Sequence, residues 1–141
     1  RLTSWHGESN KSYAYSGIRV NSSPWTPTLL TIKEKIEKVS AMKFNSVLLN
    51  LYRNGTDSVA WHADDERELG KNPVIGSVTL GEARPFQMKH KIIREEKRNI
   101  ILQHGSYLLM KGTTQHKWLH QIPKSKNLMG ERINLTFRIV E

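Results

Sequence analysis

From residue 26 onward the hydrophobic positions change their period, first helical and then strand-like. Leu29, Ile32, Ile36 and Val39 recur at three- and four-residue intervals, the spacing that lines one face of a helix. Thr26 is a good N-capping residue and Pro27 suits the first helical position, so the pattern predicts a helix over 27–40. An apolar run at 44–52 then ends in the turn signal Arg53-Asn54-Gly55-Thr56 and reads as a strand. Beyond it, 74–80, 85–90, 99–103, 107–110 and 133–140 are short, apolar or β-branched, and separated by Gly, Pro or charged loops. Residues 1–25 are rich in Ser, Asn, Gly and aromatics, and Tyr13-Ala14-Tyr15-Ser16-Gly17 reads as a short strand entering a turn.

One helix followed by about seven short strands predicts a mainly β, α+β fold: an antiparallel barrel or sandwich of the jelly-roll or cupin kind with the helix packed outside. At 141 residues the chain fits a single domain over 1–141. There is no cysteine, so neither disulfides nor thiolate metal sites are available, and any metal ligands must be histidine or carboxylate. Lys and Arg number 22 against 13 Asp and Glu, a net charge of +9 that favours polyanionic partners. No apolar run approaches the roughly 20 residues of a membrane-spanning helix, and 1–10 carries no apolar signal segment; the expectation is a soluble, intracellular monomer with no membrane partner. The chain begins with Arg1 rather than Met, and upstream residues are expected to bear on substrate choice.

Two motifs carry chemistry. In Trp61-His62-Ala63-Asp64-Asp65-Glu66, read as extended chain, His62 and Asp64 face the same way. An imidazole and a carboxylate one pleat apart, joined by a distant histidine, form the facial triad of non-haem Fe(II). His116 and His120 are both candidates for the third position. In the last strand Arg132, Asn134, Thr136 and Arg138 alternate with Ile133, Leu135, Phe137 and Ile139, giving one cationic and one apolar face. Two arginines on one strand face suit a small dicarboxylate such as 2-oxoglutarate. Asn50 and Tyr52 repeat this polar i, i+2 pattern within the 44–52 run.

Taken in order, Asn50-Leu51-Tyr52, His62-Ala63-Asp64-Asp65-Glu66, His120 and Arg132-Ile133-Asn134-Leu135-Thr136-Phe137-Arg138 resemble the AlkB family of nucleic-acid dealkylases, most closely its eukaryotic-type DNA repair homologues two and three. The resemblance runs over essentially the whole chain. It implies a double-stranded β-helix with Fe(II) held by His62, Asp64 and His120, selecting His120 over His116 because Trp118 and Pro123 flank it. It implies 2-oxoglutarate bound by Arg138 near the iron and by Arg132, Asn50 and Tyr52 at the distal carboxylate, with Asn134 and Thr136 supporting the pocket.

The implied reaction consumes O2 and 2-oxoglutarate, with ascorbate supporting it in vitro. It releases succinate and CO2 and hydroxylates the N-alkyl carbon, which leaves as an aldehyde. Tyr13 and Tyr15 match a base-gripping hairpin within 1–25, the implied nucleotide-recognition region. Asp65 and Glu66 match positions that meet a cationic lesion such as 1-methyladenine or 3-methylcytosine, and Arg84 matches an Arg of the repair homologues, without a derivable role. Lys124 and Lys126, with Lys89, Lys91, Arg94, Lys97 and Arg98 of the hairpin, are candidates for phosphate contact. The implied partner is alkylated DNA, with RNA and strandedness open, and the implied location is the nucleus in a eukaryote and the cytoplasm otherwise. A 2-oxoglutarate-dependent protein hydroxylase and a non-catalytic nucleic-acid-binding β-barrel are the rival readings.

Overall fold

The structure, a computed structural model, describes the backbone of every residue except 9–11 and 16–17, and the side chains of all but 9–21. In chain order the elements are β1 (Leu2–Gly7), β2 (Ser12–Tyr15), β3 (Ile18–Asn21), α1 (Pro27–Ser40), β4 (Ser46–Tyr52), β5 (Val59–His62), a 3₁₀ turn (Arg67–Leu69), β6 (Ile75–Gly81), β7 (Arg84–His90), β8 (Lys97–Leu102), β9 (Tyr107–Met110), α2 (Thr114–Lys117), β10 (Trp118–Ile122) and β11 (Arg132–Arg138). Two antiparallel sheets face each other, β1-β4-β11-β6-β9 and β5-β10-β7-β8, while β2 and β3 form a separate ribbon. This is the expected double-stranded β-helix with an outer helix.

The helix begins where its sequence says: the Thr26 hydroxyl accepts from the Leu29 N–H at 3.2 Å and Pro27 opens the first turn. Leu29 and Ile36 pack on Val47, Leu135 and Phe137, the outward side chains of β4 and β11. Val39 does not join them and is 78% exposed. The last buried turn is closed instead by Glu37, whose carboxylate accepts from the Phe44 N–H at 2.7 Å and pairs with Lys33 at 3.1 Å. That bond sets the chain's path from the helix into β4.

The second core lies between the sheets and contains Leu48, Tyr52 and Ile75 from the larger sheet and Phe86, Leu102 and Ile122 from the smaller. Because β4 and β11 are clamped between this core and the helix, both of their faces are buried, and the polar residues on the inner face must find partners inside. Register sets those residues side by side: Asn134 lies opposite Asn50 on one neighbour and Thr79 on the other, and Thr136 lies opposite Ser77.

The strand pattern differs from the sequence expectation in several places, the unforeseen β3 among them. β1, β5 and β10 were hidden because their exposed or site-facing residues interrupt the apolar alternation. β5 stops at His62, so Asp64 sits in the irregular segment after it rather than one pleat along a strand. β8 starts at Lys97, two residues earlier than the charged sequence implied.

Candidate metal and cosubstrate site

β5 and β10 pair so that His62 and His120 stand directly opposite one another, their ring centroids 4.3 Å apart. The chain leaving β5 carries Asp64 between them: its Oδ1 is 3.7 Å from His62 Nε2 and its Oδ2 is 3.6 Å from His120 Nε2. One ligand-type atom from each of the three residues falls within 4.8 Å of the others. The Ala60 carbonyl, 2.8 Å from His62 Nδ1, can only accept, so the proton sits on Nδ1 and the Nε2 lone pair faces Asp64. His120 is stacked against Phe86 with centroids 5.0 Å apart, which fixes its ring plane. Two imidazoles and one carboxylate on one side of a cavity match the donor set of an open-sided Fe(II) site.

The electrostatics favour the ligand forms. Burial disfavours the Asp64 carboxylate, but Arg138, whose Nη2 is 3.2 Å from Oδ1, and the two histidines together hold its pKa well below the usual carboxylate range. Burial, and then the neighbouring His120, lower the His62 pKa and keep that ring neutral. Asp64 is further fixed by a residue the sequence did not flag: Gln115, fully buried at the start of α2, accepts from the Asp64 backbone N–H at 2.8 Å.

From this cluster the cavity runs along the inner face of β11 to Asn50, Tyr52 and Arg132. Arg132 is 2% exposed, lies 5.1 Å over the Tyr52 ring and donates from Nη2 to Thr79 at 3.0 Å. Its Nε and Nη1 have no hydrogen-bond partner among the described residues, and burial lowers its pKa from the ordinary arginine value. A buried cation with unused planar donors fits the carboxylate of a dicarboxylic cosubstrate. Asn134 and Thr136 make the floor rigid: Thr136 donates to Asn134 at 2.7 Å and Asn134 donates to Ser77 at 2.7 Å. Asn50 Oδ1 accepts from Arg1 Nε at 2.9 Å.

The nine residues His62, Asp64, His120, Asn50, Tyr52, Arg132, Asn134, Thr136 and Arg138 thus line one cavity. His116 lies elsewhere, exposed and bonded to the Lys71 carbonyl and the Asn72 side chain. Asp65 is exposed and Glu66 half-buried beside the cluster, and Lys124 and Lys126 are exposed on the loop before β11. Arg84, grouped with the substrate-side residues through its match to the repair homologues, is turned into the fold. It is 1% exposed, and its guanidinium is spent on the carbonyls of Asn54, Asp57 and Pro123, tying two loops together inside the fold. Tyr13 and Tyr15 fall outside the residues whose side chains are described.

The chain is similar to proteins already known. The bovine (Bos taurus) alpha-ketoglutarate-dependent dioxygenase alkB homolog 3 is 46% identical over 149 residues, covering 99% of this chain and 51% of the bovine protein. The human (Homo sapiens) DNA oxidative demethylase ALKBH2 is 36% identical over 145 residues, covering 98% of this chain and 56% of that protein. The resemblance to AlkB homologues two and three therefore stands, and the chain spans about half the length of the curated relatives it matches. The solved structure of OsALKBH1 superposes with a TM-score of 0.70 at 17% identity over 97% of this chain and 77% of that one, which matches the fold. The family model for the 2OG-Fe(II) oxygenase superfamily covers residues 1–138, nearly the whole sheet pair and every residue of the cavity, and this chain belongs to that superfamily.

Proposed function

We propose that this chain is the catalytic domain, over 1–141, of an Fe(II)- and 2-oxoglutarate-dependent dioxygenase that removes alkyl groups from nucleic-acid bases, acting on alkylated DNA and, where the strand allows, RNA. The observation that carries the reading is the pairing, in one cavity, of a His62–Asp64–His120 donor set with the unused buried donors of Arg132. The names of the relatives, a dioxygenase and a DNA oxidative demethylase, support the reaction class.

In this reading His62 Nε2, Asp64 and His120 Nε2 hold the metal, and Arg138 keeps Asp64 ionised and aimed. Arg132 takes the distal carboxylate of 2-oxoglutarate, with Asn50 and Tyr52 beside it and Asn134 and Thr136 bracing the floor. Bound Fe(II), with 2-oxoglutarate and O2, supplies the oxidation: succinate and CO2 are released while one N-alkyl C–H becomes C–OH, and the C–N bond of that hemiaminal then breaks to free an aldehyde. Phe86 and the apolar residues behind the histidines exclude water from that side. Asp65 and Glu66, anionic neighbours of Asp64, suit a cationic lesion such as 1-methyladenine or 3-methylcytosine. Residues 1–25, including Tyr13 and Tyr15, form part of the nucleotide-recognition region, because a base must leave its stack to reach the metal. A protein of this function in a eukaryote works in the nucleus. No helix is long and apolar enough to cross a membrane.

The reading is tested by incubating the protein with Fe(II), 2-oxoglutarate, ascorbate and methylated single- and double-stranded DNA and RNA oligonucleotides, followed by mass spectrometry. Loss of the methyl mass in step with succinate release is expected, greatest for 1-methyladenine and 3-methylcytosine. Turnover of 2-oxoglutarate with no methyl loss from any oligonucleotide would replace it with the protein-hydroxylase reading.

A further inference from the structure

On the smaller sheet, the face turned away from the cavity carries a second concavity, of about 490 Å³, lined by Trp61, Gln87, Lys89, Lys97, Arg98 and Asn99. Trp61 precedes His62 on β5, so this groove lies on the opposite side of the same strand from the metal-ligand cluster. Its cations are arranged in a way that folding alone does not favour. Lys89 and Lys97 stand directly opposite each other across β7 and β8, and like charges in that position repel.

Several other cations on this molecule are answered by carboxylates, among them Lys33 by Glu37 at 3.1 Å, Arg53 by Asp57 at 2.9 Å, and Arg98 by Glu96 at 3.1 Å. Among the described residues, no carboxylate lies within ion-pair distance of Lys89 or Lys97, and the segment 9–21 contains no Asp or Glu that could supply one. Lys89 instead rests its ammonium 4.3 Å from the centre of the Trp61 ring. Beside the lysines, Gln87 stands opposite Asn99 and accepts from Gln121 at 2.7 Å, so the groove also offers amides. Paired unanswered cations, a partly exposed indole and side-chain amides are the groups that bind a phosphodiester strand: phosphates to the ammoniums, a base to the ring.

We propose that this groove docks the part of a nucleic-acid strand running away from the reacting base, with phosphates at Lys89 and Lys97 and a base against Trp61. The proposal rests on the nucleic-acid reading above. It makes the groove a determinant of how tightly a long strand is held, separate from the chemistry inside the barrel. A phosphate would draw the Lys89 ammonium off the indole and leave that ring face to a base.

The experiment is equilibrium binding of a fluorescently labelled single-stranded oligonucleotide, read by anisotropy across a salt series. Lys89→Ala/Lys97→Ala is expected to weaken binding about tenfold and to flatten the slope of log affinity against log salt by roughly 0.7 for each phosphate no longer neutralised. Trp61→Ala should weaken binding at least about fivefold without changing the slope, since stacking releases no counterions. In parallel, demethylation of a long methylated oligonucleotide by the double variant should fall while that of a methylated trinucleotide follows the wild type.

An unchanged salt slope in the double variant overturns the proposal, and so does an equal fall in trinucleotide turnover. Displacement of the labelled strand by polyglutamate as effectively as by unlabelled oligonucleotide reassigns the groove to acidic proteins. The binding arm needs no chemistry. Wild-type binding without demethylation therefore sinks the proposed function alone, and normal demethylation with an unaltered slope sinks the groove alone.

Discussion

Gln115 and Asp64, 51 residues apart, are joined by a 2.8 Å hydrogen bond from the Asp64 backbone N–H to the Gln115 side-chain oxygen. Gln115 lies in the first turn of the short α2 that leads directly into β10 and His120. One buried amide therefore ties the loop bearing the carboxylate to the segment bearing the second histidine. Groups that orient metal ligands typically contribute a factor of about 10–100 to metal affinity. Gln115→Leu, similar in volume but without the acceptor, should weaken Mn(II) or Co(II) binding by about that factor in calorimetric titration. Gln115→Glu, which keeps an acceptor oxygen, should retain more affinity than Gln115→Leu. Equal, wild-type affinity in both would reduce Gln115 to packing.

The two downstream histidines should separate cleanly. His120→Ala removes a donor from the cluster and should abolish metal binding and 2-oxoglutarate turnover. His116→Ala breaks only surface contacts to Lys71 and Asn72 and should leave both intact. Metal titration and succinate assay on the two variants check this, and an equal loss in His116→Ala would reopen the assignment.

How much of this was legible in the chain depended on whether the signal was local. Thr26 and Pro27 fix the helix start through contacts within one turn, so its limits could be read directly. The alternation of β11 was equally plain, because one face packs on the helix and the other lines the cavity. β10 was opaque: its inward residues His120 and Ile122 are one polar and one apolar, and so are its outward Leu119 and Gln121, so no period of two emerges. Gln115 was invisible because its importance lies in a bond to a backbone group far away in sequence. The role of Arg84 was underivable for a related reason: the carbonyls that hold it come from two other loops, distant in sequence.

Acid stability should expose the role of Asp57. Its carboxylate accepts from the Arg53 side chain at 2.9 Å and 3.1 Å and from the Arg53 backbone N–H at 2.8 Å, and these bonds hold its pKa well below the usual range. The unfolded chain takes up this proton first as pH falls, so the stabilisation is complete above the ordinary carboxylate pKa and is lost as pH drops below it. Asp57→Asn should melt lower than wild type at neutral pH, with the gap closing in acid as the wild type loses the same charge. A gap that persists at low pH would mean that the turn is held by shape and not by the ion pair.

Arg132 permits a test in which stability and ligand binding move in opposite directions. Among the described residues it is a buried cation with two donor nitrogens that lack a partner and with the neutral Thr79 and Tyr52 beside it. Replacing such a group by an apolar side chain of similar length is often neutral or stabilising, because the desolvation penalty disappears with the charge. Arg132→Met should therefore melt at or above the wild-type temperature in the absence of cosubstrate. A charge-assisted hydrogen bond is worth about 1.5–3 kcal/mol, so the same change should raise the 2-oxoglutarate requirement by about 10- to 100-fold. Added 2-oxoglutarate, which stabilises the folded state in proportion to its binding, should lift the wild-type melting temperature and scarcely move that of Arg132→Met. Arg132→Lys, which keeps the charge but not the planar fork, should fall between them. If 2-oxoglutarate stabilised Arg132→Met as much as the wild type, the far end of the cavity would not be where the cosubstrate's distal carboxylate binds, whatever its charge suggests.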